Sequence, residues 1–359
     1  MANKAKVNKY IHLMLVCALL GLGIALPALA DECLTNAAPV SATVGARCTE
    51  DPSCVIVGET HMLEWKSPAP AKIVVVCIHG LGLCARAYKP LAKELSAAGI
   101  DGFGVNVRGF GPDRGKPDRA KLDCVKTVND VTELLRNIHK EQPDYKVFLV
   151  GESMGGALAI RIAAENSNLV DGVVCSAPAW KLLKMRRTAV KGVFELFLFP
   201  GRHPGPAGRA IMHQATTDSE LTEHWLTDPS HKLKLSLSEA TSFLSFISKT
   251  DKYAKQVIKP VLVIQGLNDH LVSPRAVAKL FSDIPSASKT FMIDGKGEHL
   301  VLEEGRFSPP VTEKLISWMK TGATSQSSPG VTEFTVNAQA LSPSETRRLT
   351  RLQRLSQSD

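Results

Sequence analysis

Residues 145–156 read YKVFLVGESMGG. The first six form a short, mostly apolar run, the pattern of a strand buried on both faces. The residues after the turn, 154–165, carry a helical pattern. Ser153 therefore sits in a Gly-x-Ser-x-Gly turn between a strand and a helix, the context that this motif requires. Such a turn is sharp and holds the serine in a strained backbone conformation with its hydroxyl exposed at the strand end. Gly151 and Gly155 remove side chains that would collide there, and the helix N-terminus behind the serine stabilises negative charge.

Outward from this turn, strands and helices alternate. Residues 71–79 (AKIVVVCIH) read as a buried strand, 88–99 as a helix, and 101–107 as a strand. Residues 122–141 read as a helix with Val125, Val128, Val131, Leu134, Leu135 and Ile138 on one face, and 170–176 as a strand. The pattern stops near Trp180 and resumes with a strand at 260–265, a helix near 275–283, a strand at 288–293 and a helix at 311–320. Alternation of this kind predicts an α/β fold, with a mostly parallel central sheet and helices on both faces. The helical stretches at about 180–255, placed between the two halves of the sheet, predict a cap.

A serine hydroxyl needs a base, and the base needs an orienting acid. Asp269 lies in QGLNDHLVSP after one strand, and His299 in DGKGEHLVLEE after the next. The order Ser…Asp…His suits one strand-end site. His299 would take the proton from Ser153, and Asp269 would hold the imidazole in the right tautomer. His270 would point away, and Asp294 reads as structural. His79-Gly80-Leu81-Gly82 follows the strand at 71–79. Its glycines let backbone N–H groups approach a developing oxyanion, so Leu81 and Met154 are the expected donors, with His79 ordering the loop.

HGLG, VRGFG at 107–111, GESMGG, QGLNDHLVSP and GEHLVLEE together resemble the serine α/β-hydrolases of the monoacylglycerol lipase and lysophospholipase type, over about residues 55–320. TTDSELTEHWLTDPS at 216–230 resembles the cap of that family. The resemblance implies the α/β-hydrolase fold, ester hydrolysis through an acyl-serine and no cofactor. It also implies Ser153 as nucleophile, Asp269 as acid and His299 as base. Two departures stand out: Leu83-Cys84-Ala85 replace the polar residues usual after HGxG, and Asn106 replaces an aspartate before VRG. An aminopeptidase or amidase on the same scaffold would need cap carboxylates to hold an amine, and Glu195, Asp218, Glu220, Glu223 and Asp228 are available. A non-catalytic binding protein is the third reading.

The chain has 359 residues, 44% hydrophobic and 22% charged, which excludes wholesale disorder. Zero mean hydropathy argues against a multi-span membrane protein. Lys4, Lys6 and Lys9, the apolar run Ile11 to Leu26 and the cleavage site Ala28-Leu29-Ala30 read as an export signal over 1–30, with Asp31 as the mature N-terminus. The mature enzyme would then be periplasmic or secreted. A net charge of +8, three units of it in that signal, does not suggest nucleic acid as a partner.

Residues 31–54 form a leader with Cys33, Cys48 and Cys54, the best disulfide candidates in an exported protein. Cys77 and Cys175 read as buried strand thiols, and Cys84 and Cys124 either pair or stay reduced. No C-x-x-C occurs, so no zinc site is indicated. In the cap, Lys181, Lys184, Arg186, Arg187 and Lys191 lead into VFELFLFP, with Phe194, Phe197 and Phe199. That stretch either roofs the site or meets a membrane surface or acyl chain. Residues 322–359 read as a flexible Ser/Thr/Arg-rich tail, in which TRRLTRLQRL, with four arginines, is either a solvated end or a short basic helix that touches a membrane or partner.

Overall fold

The strand Ile73–Ile78 shows how the molecule is layered. Val74, Val76 and Ile78 point into one apolar cluster, and Ile73, Val75 and Cys77 into another. Successive side chains of a strand face opposite sides, so a continuous apolar run must be covered twice. A computed structural model of the chain describes residues 46–47, 54–57, 60–181, 212–228, 235–323, 330–339 and 341–357.

The strands are β1 (Ala46–Arg47), β2 (Cys54–Val57), β3 (Thr60–Trp65), β4 (Ile73–Ile78), β5 (Asp101–Val105), β6 (Lys146–Glu152), β7 (Gly172–Ser176), β8 (Val261–Gly266), β9 (Ser288–Asp294) and β10 (Gly330–Val336). They form one sheet in the order β1-β2-β3-β5-β4-β6-β7-β8-β9-β10. Pairings from β5 through β4 to β10 are parallel, and β1, β2 and β3 join antiparallel at one edge.

The described α-helices are α1 (Lys89–Ala97), α2 (Cys124–Glu141), α3 (Met154–Glu165), α4 (Ser219–Thr227), α5 (Leu237–Ile247), α6 (Thr250–Ala254), α7 (Pro274–Ser282), α8 (Pro309–Ala323) and α9 (Pro343–Ser356). α2, α3, α7 and α9 contribute to the first apolar cluster, and α1 and α8 to the second. This is the α/β architecture with a mostly parallel sheet that the alternation predicts, in the arrangement that the resemblance implies. Within 180–255 the described residues include α4, α5 and α6. The basic and aromatic stretch at 184–199 lies outside the described residues, as does the segment 1–30. Among the described residues, no helix is long and apolar enough to cross a membrane.

Two expectations need correction. First, Val125 is 51% exposed and not on the buried face of α2. At about 100° per residue, positions 128, 131, 135 and 138 cluster, and Cys124 falls among them while Val125 swings away. Secondly, the end of the chain is not a flexible tail throughout. Residues 330–336 form β10, paired in parallel with β9 from Gly330↔Ser288 to Val336↔Asp294. Residues 343–356 form α9, opened by a Ser342/Glu345 capping box, with Leu352 buried. An edge strand and a one-sided helix need few apolar residues, so the polar composition conceals both. Of the two alternatives for Cys84 and Cys124, the reduced one holds: both are buried thiols, like Cys77 and Cys175. Burial pushes the Cys124 thiol up to about 12. Cys54 is disulfide-bonded, while Cys33 and Cys48 lie outside the described residues.

Candidate active site

The predicted site residues lie at the C-terminal ends of β4, β6, β8 and β9, where a parallel sheet gathers its loops. Ser153, between β6 and α3, has φ 53° and ψ −113°, a strained conformation for a residue with a side chain. Its N–H donates to the Ser176 carbonyl (2.9 Å), and its carbonyl accepts from Ala179 (2.9 Å), so the end of β7 holds the turn. A Cβ on Gly155 would collide with the Ile78 carbonyl, and one on Gly151 with Gly155. Those glycines allow α3 to start directly against the end of β4. The helix start is thereby brought beside the 79–82 loop.

Asp269 and His299 meet: Asp269 Oδ2 lies 2.9 Å from His299 Nδ1, and both residues are buried. The other carboxylate oxygen of Asp269 accepts from the N–H groups of Leu271 (2.8 Å) and Val272 (2.9 Å), and Gln265 Nε2 donates to Oδ2 (3.1 Å). Burial pulls the His299 pKa down, but the Asp269 charge and hydrogen bond, with Glu152 behind, outweigh it and leave the pKa above its usual value. His270 is exposed. Asp294 accepts from Lys296 N and Asn337 Nδ2, a structural role.

His79 orders its loop. Its Nε2 accepts from Val107 N–H (3.0 Å), which leaves Nδ1 to donate to the Gly80 carbonyl (2.8 Å). With both nitrogens so engaged the ring is neutral. Gly82 takes φ 93°, and the 80–83 turn closes through Leu83 N–H to Gly80 O. Met154 N–H, at the first position of α3, has no acceptor within the helix. Asn106 donates to the His61 carbonyl (2.9 Å) and accepts from Ala85 N–H (2.9 Å). A carboxylate could not make the first of these bonds, which gives the departure at 106 a physical reason.

Two carboxyl groups of the site were not among the sequence candidates. Glu152, fully buried beside Ser153, accepts from Ser176 Oγ and from the N–H groups of Val301 (2.8 Å), Leu302 (3.2 Å) and Glu303 (2.9 Å). It thus holds the loop that follows His299. Burial raises its pKa, and these donors oppose the rise. Glu303 is also fully buried, and its Oε1 accepts from Gly80 N–H (2.8 Å). Burial and the charge of Glu152 push the Glu303 carboxyl well up, favouring the neutral acid. The only sequence signals were the x of Gly-x-Ser and the Glu303-Glu304 doublet.

Above the site lies an apolar cluster of Leu83, Ala87, Met212, Ala215, Trp225 and Leu300. It joins the loop after β4, the loop of His299 and the described part of the cap. The cap is tied to the same loop by Thr216 and Thr217, whose hydroxyls donate to Glu298 (3.0 and 2.6 Å), and by Arg306 to Asp218 (2.8 Å).

Fold and site together define a serine-type α/β-hydrolase. The sequence model of the serine aminopeptidase S33 family matches residues 69–306, and the chain belongs to that family. Human monoglyceride lipase is 26% identical over 256 residues, covering 70% of this chain and 82% of that protein. Phospholipase YtpA of Bacillus subtilis is 26% identical over 234 residues, covering 64% and 88%. Among solved structures, a soluble variant of Saccharomyces cerevisiae monoglyceride lipase with a substrate analogue superposes with a TM-score of 0.62 at 19% identity, covering 80% of this chain and all of that one. The chain is a carboxylic ester hydrolase.

Proposed function

We propose that the protein hydrolyses acyl-glycerol or lysophospholipid-like esters through an acyl-serine intermediate. The observation that carries the chemistry is the buried Asp269–His299 pair at the strand ends that also present the strained Ser153. With Nδ1 turned to Asp269, Nε2 is the nitrogen left to take the Ser153 proton as Oγ attacks the ester carbonyl. The oxyanion would be met by the N–H groups of Leu81 and Met154. Its collapse breaks the C–O bond, and the leaving alcohol takes the proton from His299. Water, deprotonated by His299, then cleaves the acyl-serine and restores the hydroxyl.

The substrate class is supported by the apolar cluster over the site and by the names of the relatives. The peptidase reading has less support. Asp218 caps α4 and pairs with Arg306, and Asp228 pairs with Arg86, so neither waits for an amine. Residues 1–30 support export, with the mature chain beginning at Asp31 in the periplasm or outside the cell. The basic and aromatic cap stretch supports contact with a membrane surface.

The test is turnover of p-nitrophenyl esters of rising chain length, monoacylglycerol and an aminoacyl-anilide by the protein from Asp31, beside Ser153→Ala. Ester turnover that vanishes in Ser153→Ala is expected, with a long-chain optimum. Turnover of the anilide alone would make the protein a peptidase. Ester turnover retained in Ser153→Ala would overturn the triad. For export, the mass of the protein recovered outside the cytoplasm should begin at Asp31; recovery only as the full-length cytoplasmic chain would overturn it.

A further inference from the structure

The family match ends at residue 306, yet the chain continues through α8 to β10 and α9. These last two elements reach back to the loops that carry Asp269 and His299. Asn268, the residue before Asp269, is gripped from α9. Arg348 Nη2 donates to its Oδ1 (2.8 Å), and its amide nitrogen donates to the Gly295 carbonyl (3.5 Å). The backbone N–H of Asn268 donates to the Gly297 carbonyl (2.9 Å), two residues before His299. From the other side, Asn337, directly after β10, donates to Asp294 Oδ1 (2.8 Å) and Ser308 Oγ (2.8 Å). Gly295 N–H donates to the Val336 carbonyl (2.9 Å). The His299 loop is thus anchored at Asp294 and Gly295 by β10, and the Asp269 loop at Asn268 by α9. The two loops meet at Asn268 and Gly297.

We infer that residues 330–357 are a positioning element for catalysis, in which Arg348 and Asn337 hold the acid and base loops in register. The inference rests on the Ser153–His299–Asp269 reading above. A 2.9 Å contact between two loop side chains is only as well placed as the backbones that carry it, and small displacements of such groups are costly to rate. Neither Arg348 nor Asn337 belongs to the reacting set, so each acts through the loop it holds. Arg348 is half exposed and stands one turn before the buried Leu352 on the inner side of α9, so Arg348→Ala shortens that side chain and leaves Leu352 in place.

The experiment compares Arg348→Ala, Arg348→Lys, the double variant Arg348→Ala/Asn337→Ala, and Arg351→Ala as a control on the same helix. Turnover of a p-nitrophenyl ester is measured against pH, each sample being normalised to the sites titrated by a fluorophosphonate. Arg348→Ala should lower kcat about five- to tenfold with KM within about twofold, and the double variant should lower it further. His299 is held above its usual pKa by Asp269, so a loosened pair should also move the acidic limb of kcat/KM to lower pH. Arg348→Lys, which can still donate to Asn268, should recover most of the loss, and Arg351→Ala should match the parent. An unchanged kcat per titrated site and an unchanged limb in the double variant would overturn the inference. A loss repeated in Arg351→Ala would overturn it too, because the effect would then be one of helix stability. Ser153→Ala, compared with the parent per mole of protein, separates the two ideas: activity retained there fails the triad reading, whereas activity lost there and kept in the double variant fails this inference alone.

Discussion

Glu303 Oε1 accepts the Gly80 N–H at 2.8 Å, joining the loop of the base to the oxyanion loop across 223 residues of sequence. The bond places one carboxyl group, fully buried, behind the backbone that would meet the oxyanion. Its partner Glu152 draws the same base loop toward the serine through three backbone N–H groups. The mutual placement of the proposed nucleophile, base and oxyanion donors thus passes through two side chains that need not touch substrate.

Glu303→Gln keeps an acceptor for Gly80 N–H and the neutral character that burial favours. Turnover within about twofold of the parent is expected. Glu303→Leu leaves that N–H buried and unpaired, a cost of about 1–3 kcal/mol. Urea unfolding and ester kinetics should show both the lost stability and a lower kcat. Equal behaviour of the two variants would contradict a role for the Gly80 bond.

Glu152→Ala removes the acceptor for Ser176 and for the N–H groups of residues 301–303 at once. A destabilisation above about 3 kcal/mol is expected, because several buried donors lose their partner together. Glu152→Gln retains one acceptor oxygen and should fall between the two. Chemical denaturation midpoints provide the ranking.

Asp269→Asn should cut kcat by about 10⁴, the scale of a triad whose imidazole is left in the wrong tautomer. The pH profile should change as well. The Asp269 charge raises the His299 pKa, so the parent imidazole stays protonated to higher pH and activity rises through a limb above the usual histidine range. Without that charge the limb moves to lower pH. A profile that stays put would show that another group titrates there.

Gly155→Ala places a methyl group against the Ile78 carbonyl. Backbone is met rather than a flexible side chain, so a loss of at least about 2 kcal/mol is expected in thermal or denaturant unfolding. Val125→Lys should by contrast change stability by less than about 0.5 kcal/mol, because that side chain is mostly in solvent, whereas Val131→Lys should unfold the domain.

The motif residues and the central strands β4 to β9 were legible because their rules are local, whereas the antiparallel edge of β1, β2 and β3 was not among the expected strands. An apolar run ending in glycine is a strand that stops, and Gly-x-Ser-x-Gly between strand and helix allows few backbones. Ser153, Asp269 and His299 could be singled out as candidates from their positions after β6, β8 and β9. The roles of Glu152 and Glu303 were not legible in this way. A glutamate is usually a solvated residue, and only the closure of the sheet shows that these two are buried with backbone donors around them. The same holds for β10 and α9: their composition is that of a tail, and they are ordered by pairing with β9 and packing on α7 rather than by their own hydrophobicity. Local rules along the chain thus determined the central strands, the serine turn and the order of the candidate residues. Which polar groups lose their water, and so must find partners in distant parts of the chain, was decided only by tertiary structure, because desolvation depends on everything packed around a group.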